Sequence, residues 1–267
     1  MSKITAVFFD VDGTLLNSEH QMLESTKMVL RKLEEKGIPY AIASARGPAS
    51  ILPLFEQFDF RAPMVSFNGA LVYDIDENVI KSTGMEKEEA AEVIDFIEDY
   101  SPKVLLNYYS YFNWMVKDAE HPRIIAEEGI AGEKAISLTV KESDFDEFHQ
   151  IYCLGSPEDI DNLEKALVAK YPDLYIAKSS PVDVLINRRG ISKARGMEIL
   201  AENQGWDISS TVAFGDGFND KEMLEHAKYS FAMGNAPEDL KQYAKAVTDT
   251  NDNDGIYKAM QSLGLFD

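Results

Sequence analysis

Apolar positions along this chain come in short blocks separated by longer helical stripes. ITAVFF at 4–9 is an uninterrupted apolar run, the pattern of a strand buried on both faces of a parallel sheet. Beyond it, Met22, Leu23, Met28, Val29, Leu30 and Leu33 approximate a helical stripe within 21–35, Gly37 stops the helix, and IPYAIAS at 38–44 reads as the next buried strand. Strand, helix and strand make a β-α-β unit. A helix near 47–57 and apolar pieces at 63–66 and 70–73 extend it, the two pieces joined around Asn68-Gly69, a favoured tight-turn pair.

From about residue 84 the texture changes. AAEVIDFIEDY predicts a helix, VLLNYYSYFNWMV one or two strands, and IYCLG, a helix near 157–170 and LYIA follow. After roughly 183 the strand-helix alternation resumes with DVLIN, a helix at 192–203, TVAFGD at 211–216, a helix near 218–226, YSFAMG, a helix near 236–244 and a last helix near 254–262. The pattern predicts a discontinuous α/β core, 1–83 and 183–267, interrupted by an inserted α+β domain over 84–182. Within YYSYFNWM, a continuous strand would place Tyr108, Phe112 and Trp114 on one face and Tyr109 and Tyr111 on the other, and a turn near Ser110 would break that alternation; aromatics at this density read first as packing inside the insert. KESDFDE at 141–147 reads as a solvated acidic loop or helix start.

Composition narrows the partners. With 267 residues, 45% of them apolar, the chain can bury a sizeable core. Its 46 acidic against 26 basic residues give a net charge of −20, which opposes a phosphate backbone, so nucleic acid and anionic membranes are poor partners. An anionic substrate therefore needs a local cationic site or a metal. The only cysteine is Cys153, so no intrachain disulfide can form, and a cytoplasmic location is the expectation. The apolar stretch that follows Lys3 ends at Asp10, too short for a signal sequence, and no uninterrupted apolar run approaches the ~20 residues that span a bilayer.

VFFDVDGTLL places Asp10 and Asp12 two positions apart at the end of the first apolar run. Asp-Gly between apolar runs signals a hairpin turn, but the following LLNSEHQ leads into a helix and gives no alternating return strand. TVAFGDGFND repeats the arrangement: an apolar run ends in Asp216, and Asn219 and Asp220 follow. In a parallel α/β sheet the carboxyl ends of the strands share the edge where ligands bind, so Asp10, Asp12 and Asp216 are expected to meet there. Two like charges ~4 Å apart repel by about 4 kcal/mol at an effective dielectric of ~20. A cation or a raised pKa answers that repulsion, and a hard divalent ion fits best. Mg²⁺ suits best, because it takes one or two carboxylates and completes its shell with water and phosphate oxygens. His20, His121, His149, His226 and Cys153 show no zinc-ligand spacing. Ser44, after the second strand, and Lys193, at the start of ISKARGMEIL, offer donors for phosphate, although a strand-end serine ordinarily caps a turn and a first-turn lysine is ordinarily solvated.

DVDGT at 10–14, Ser44 within ASAR, Lys193 within GISK and GDGFND at 215–220 resemble, in order and spacing, the four motifs of the haloacid dehalogenase-like hydrolase superfamily. The long insert between the second and third motifs, with Asn68-Gly69, is similar to the Cof-type subfamily with a C2B cap. Ala45 stands where glycine is more usual; the hydroxyl of Ser44 and Arg46 are retained. The resemblance implies a Rossmann-like parallel-sheet core, an inserted α+β cap that carries much of the substrate specificity, and a Mg²⁺-dependent phosphatase acting on small phosphorylated metabolites through an aspartyl-phosphate. Sugar phosphates come first, with nucleotide, flavin and pyridoxal phosphates in range. By the same resemblance Asp10 is the nucleophile and Asp12 the general acid and then base, while Asp10, Asp12 (through its backbone carbonyl), Asp216 and Asp220 surround the metal. Ser44, Arg46, Lys193 and Asn219 would bind the phosphoryl group or support those that do. Two alternatives stand beside this reading: a phosphotransferase such as a hexose-phosphate mutase, and a non-catalytic phosphometabolite-binding protein.

Overall fold

A computed structural model describes residues 4–178 and 180–266. The chain forms two compact units, one from residues 4–46, 54–81 and 192–266, the other from 47–53 and 82–191. Among the described residues no helix is long and apolar enough to cross a membrane.

The first unit is built on a mixed sheet. Its strand order is Ala246–Val247, Tyr229–Ala232, Val212–Gly215, Val7–Phe9, Tyr40–Ala43, Met64–Ser66, Leu71–Tyr73 and Val79–Ser82. Every pair from Ala246–Val247 through Met64–Ser66 is parallel, and Leu71–Tyr73 returns antiparallel. Val7, Phe8 and Phe9 are all fully buried although successive side chains point to opposite faces, because helices cover both. On one face Phe8, Ala41, Ala43, Val65 and Ala213 pack against Ala194, Met197 and Leu200 of helix Lys193–Gln204. That helix can approach closely because Gly196 has no side chain: a Cβ there would stand 2.2 Å from Val65 Cγ1. On the sheet itself Phe9, Phe214 and Phe231 stack in a row, with centroids 5.3 and 5.2 Å apart.

Helix Glu24–Glu35 connects the first two parallel strands and buries Thr26, Val29, Leu30 and Leu33, an i, i+3, i+4, i+7 pattern down one face. Met28 falls off that stripe and is 50% exposed, while Met22 and Leu23 precede the helix. Asn68-Gly69 does join an antiparallel pair, through a turn in which Phe67, Asn68 and Gly69 all have positive φ. The helix expected over 236–244 is shorter, Glu238–Lys241, and the one near 218–226 begins as a tighter 3₁₀ turn at Phe218–Asp220.

The second unit holds a six-stranded sheet, ordered Leu174–Ala177, Asp183–Arg188, Gln150–Leu154, Leu105–Ser110, Asn113–Val116 and Ala135–Ser137. Helices Lys87–Tyr100 and Pro157–Lys170 supply Val93, Ile97, Ile160, Leu163 and Leu167 to its core. Two sequence expectations, for DVLIN and for KESDFDE, are corrected here. DVLIN, placed at the resumption of the core, is instead hydrogen-bonded into this sheet, between Gln150–Leu154 and Leu174–Ala177. VLLNYYSYFNWMV is a hairpin turning at Tyr111 (φ 51°), which sets Tyr109 opposite Trp114 and Tyr108 opposite Met115. Tyr108 and Trp114 therefore belong to different apolar clusters and share no face. KESDFDE is not uniformly solvated either: Ser143 is buried, and Glu147 accepts bonds from Gly84 N, Tyr111 Oη and Ser82 Oγ.

Candidate active site

Asp10 is the first residue beyond strand Val7–Phe9, and its N–H still donates to Phe214 O across the ladder (3.1 Å), which fixes it at the carboxyl edge. The chain then coils tightly: Leu15 N–H returns to Asp10 O and Leu16 N–H to Val11 O, so DVDGT is a loop and no hairpin. Gly13 takes φ 76°, and a Cβ on it would lie 2.1 Å from Asp216 Oδ2. Only glycine lets this loop reach the loop after Val212–Gly215.

Asp10 is nearly inaccessible, and Lys193 Nζ donates to its Oδ1 over 2.5 Å and to Asp220 Oδ1 over 2.6 Å. Lys193 opens its helix immediately after the cap Ser192, whose Oγ accepts from Arg195 N, and it is 1% exposed. The ordinary fate of a first-turn lysine is thus overturned. Burial pulls its ammonium toward deprotonation, but the Asp10 and Asp220 carboxylates outweigh that and hold it above its usual value.

Three carboxylates face this one ammonium. Oxygens of Asp10, Asp216 and Asp220 all lie within 4.8 Å of one another. Burial, then the Asp220 charge, push the Asp10 carboxyl well above the ordinary range despite Lys193. The same two causes raise Asp216 to about 6, against the opposing hydrogen bond from Thr14. Asp220 is bound differently: its Oδ2 accepts from the N–H groups of Asp216 and Gly217 at 3.0 and 2.9 Å, and its Oδ1 takes Lys193. With Asp220 so engaged, Asp10 and Asp216 have the lone pairs to spare. An all-oxygen, net-negative set of this kind fits a hard divalent cation.

Asp12 points elsewhere. Its side chain is 47% exposed, and its carboxylate is gripped by Arg46, with His20 Nδ1 3.7 Å away. Ser44 closes strand Tyr40–Ala43; its buried Oγ accepts from Arg46 N–H at 3.0 Å, which is a local cap, and leaves the O–H to donate. Asn219 does not touch Lys193 in the described contacts; its Nδ2 donates to Asn68 Oδ1 at 3.0 Å. Asn68 is itself held by Ser44 O, so the second strand's loop and the loop of Asp216 are joined through two amides.

Reading strand ends for acids missed three partners. Asn68 had been assigned only a turn. Thr14 donates to Asp216 Oδ1, and Asn235 donates to Gly13 O and to Asp216 Oδ2. Asn235 follows the apolar run YSFAM, so the strand-end logic that picked out Asp10 and Asp216 also covers it once polar amides are counted along with acids.

Comparison with known proteins agrees with the geometry. A family model described as haloacid dehalogenase-like hydrolase matches residues 7–260. A Haemophilus influenzae relative is 33% identical over 256 residues, covering 94% of this chain and 95% of that one. The 5-amino-6-(5-phospho-D-ribitylamino)uracil phosphatase YcsE of Bacillus subtilis is 27% identical, covering 97% and 95%. Among solved structures, the subclass IIB sugar phosphatase BT4131 superposes with a TM-score of 0.82 at 29% identity, covering 98% and 99%.

Proposed function

The chain belongs to the haloacid dehalogenase-like hydrolase family, and on that premise we propose that it is a Mg²⁺-dependent phosphatase of small phosphate monoesters, sugar phosphates foremost. The observation that carries this reading is the trio of buried Asp10, half-buried Asp216 and buried Asp220 set against a single ammonium, Lys193. The sugar phosphatase BT4131 and the phosphatase YcsE, which acts on a phosphorylated ribitylamino compound, support the substrate class.

In this reading Asp10, Asp216 and the backbone carbonyl of Asp12 would hold the cation, with Asp220 fixing the loop that presents Asp216. When bound, Mg²⁺ neutralises the mutual repulsion of the acids and the phosphate. Asp10 Oδ attacks phosphorus, forming an Asp–O–P bond as the bond from phosphorus to the leaving alkoxide breaks, and Asp12 gives that alkoxide a proton. Asp12 then takes a proton from water, whose oxygen attacks the same phosphorus, and the Asp10–phosphate bond breaks to release inorganic phosphate. Lys193 and Ser44 supply donors to the phosphoryl oxygens, Arg46 a charge that either Asp12 or a phosphate oxygen can take, and Asn219 steadies the loop through Asn68. The second unit acts as the cap that selects the leaving group.

Phosphate release from a panel of sugar, nucleotide, flavin and pyridoxal phosphates, with Mg²⁺ or with EDTA, tests the proposal for wild type beside Asp10→Asn. Release by the wild type with Mg²⁺ alone, and none by the variant, is expected. An unchanged rate in the variant sinks the nucleophile. No release from any ester, with label transferred to an added sugar acceptor, would replace hydrolysis by phosphoryl transfer.

A further inference from the structure

Asn235 sits in the loop after strand Tyr229–Ala232, and its whole carboxamide is spoken for. One amide hydrogen goes to Gly13 O at 2.8 Å, the other to Asp216 Oδ2 at 3.0 Å, and Oδ1 accepts from Asn251 N–H at 3.1 Å. The bonding fixes which end of the amide is which. Turned over, Oδ1 would face a carbonyl and a carboxylate, and the NH₂ would face an N–H. Asn251 is anchored in turn, its Nδ2 donating to Leu16 O at 3.0 Å. Two amides thus tie together the loop after Val7–Phe9, the loop after Val212–Gly215 and the segment near residue 251.

Asp216 is held on both sides by this arrangement. Thr14 Oγ1 donates to Oδ1 (3.1 Å) and Asn235 Nδ2 to Oδ2, one donor per oxygen, which leaves each oxygen a lone pair while fixing the plane of the carboxylate. Such donors behind a ligating carboxylate set its orientation toward a metal, and their loss typically weakens binding 10- to 100-fold. The Gly13 carbonyl matters as much. By bonding Gly13 O and Asp216 with one NH₂, Asn235 sets the distance between the loop carrying Asp10 and Asp12 and the loop carrying Asp216.

We propose that Asn235 is a positioning residue for the cation site, holding Asp216 in register with the Asp10 loop. The inference rests on the Mg²⁺-phosphatase reading above and extends it to a residue outside the four motifs. Asn235 is exposed at the surface, so its removal should spare the fold.

The test is calorimetric titration of Mg²⁺ into the full chain, without substrate, for wild type, Asn235→Ala, Asn235→Leu and Asn235→Ser, beside Asn203→Ala on an exposed helix surface as control. A dissociation constant raised about tenfold or more in the alanine and leucine variants is expected, with Asn235→Ser intermediate because its hydroxyl retains one donor. KM for the phosphoester, measured at saturating Mg²⁺, should stay within about twofold, and kcat should recover as Mg²⁺ is raised. A lowered melting temperature with an unaltered Mg²⁺ constant would mark a merely structural role and overturn the proposal, as would wild-type affinity in all three variants. A wild type that takes up no Mg²⁺ fails the metal reading itself, a result distinct from variants that bind as the wild type does.

Discussion

Arg46 holds Asp12 by both carboxylate oxygens, Nε donating to Oδ2 at 2.7 Å and Nη2 to Oδ1 at 2.6 Å. This is the planar two-point contact that guanidinium makes with carboxylate or with phosphate. One donor per oxygen fixes the plane of the Asp12 carboxylate and leaves each oxygen a second lone pair. A phosphate oxygen is the natural competitor for the same guanidinium.

The first prediction follows from that competition. In the reading proposed above, Arg46→Ala removes a charge-assisted contact to the phosphate and also the group that aims Asp12. If it served phosphate alone, alkyl and aryl phosphates would suffer alike. Because protonation of the leaving group matters far more for an alkoxide than for a good aryl leaving group, kcat/KM is expected to fall at least about tenfold further on alkyl phosphates. Equal losses on the two substrate types would assign Arg46 to phosphate binding only.

Asp10 sets function against stability. Burial and the Asp220 charge disfavour its ionised form in the folded state, so a neutral isostere relieves the fold while removing the carboxylate proposed above as the nucleophile. Asp10→Asn is expected to lose turnover and to melt about 2 °C higher than wild type in EDTA, a gain on the order of 1 kcal/mol. Mg²⁺ should raise the wild-type midpoint more than that of the variant, since a ligand stabilises only the state that binds it. Lys193→Met acts in the other direction. It leaves Asp10 and Asp220 buried without their cation, at a cost of about 3–5 kcal/mol. A Lys193→Met protein as stable as wild type would refute the account of the trio.

What could be read in advance follows from where the chain is buried. A parallel strand covered on both faces is apolar throughout, so the first acid after ITAVFF or TVAF has to be at the sheet edge, and Asp10 and Asp216 were legible for that reason. Lys193 was legible as a position, and the family resemblance supplied its role; that it is buried between two acids depends on Gly196 admitting its helix to the sheet. DVLIN was a recognisable strand, but a five-residue run carries no mark of which sheet it joins, and pairing with Gln150–Leu154 is a long-range outcome. The hairpin at Tyr111 was legible only as one or two strands with a turn near Ser110, because an aromatic occupies the left-handed position where glycine or asparagine would have marked the turn. Two-residue strands such as Met85–Glu86 and Glu147–Phe148 are too short to show any period.

His149 provides a pH prediction within the second unit. Its Nδ1 accepts from Tyr111 N–H, so the ring proton is on Nε2 and is directed to Ser82 Oγ at 2.8 Å; the serine in turn donates to Glu147. This is a neutral ring serving as a structural link, and no base for the serine. Burial lowers its pKa to about 4, against the pull of Glu147. The unfolded chain binds that proton near pH 6.5 and the folded chain only near 4, so stability is fully present above about 6.5 and declines as pH falls toward 4, by about 3 kcal/mol in all. His149→Gln, whose amide can accept and donate along the same line, should be flatter over that window in denaturant melts. Parallel pH profiles for the two proteins would dismiss His149 as the titrating group.

The closeness of the two acidic loops is open to a paired glycine substitution. Gly13 and Gly37 both have positive φ, 76° and 63°, so alanine strains the backbone at either by about 1 kcal/mol. They differ in what a methyl group meets. At Gly37 nothing lies within 4 Å, whereas at Gly13 the new carbon would sit 2.1 Å from Asp216 Oδ2 and 2.7 Å from its Cγ. Contact that close cannot persist, so the Asp10 loop and the Asp216 loop have to separate, taking Asn235 and Thr14 with them. Gly37→Ala is therefore expected to cost about 1 kcal/mol and to leave phosphate release and Mg²⁺ affinity unchanged. Gly13→Ala should cost more in stability and lower turnover at least about 100-fold, with Mg²⁺ affinity falling alongside. The difference between the two variants isolates the approach of the loops from backbone strain, and equal effects on activity would show that Asp216 does not need to lie against the Asp10 loop for the site to work.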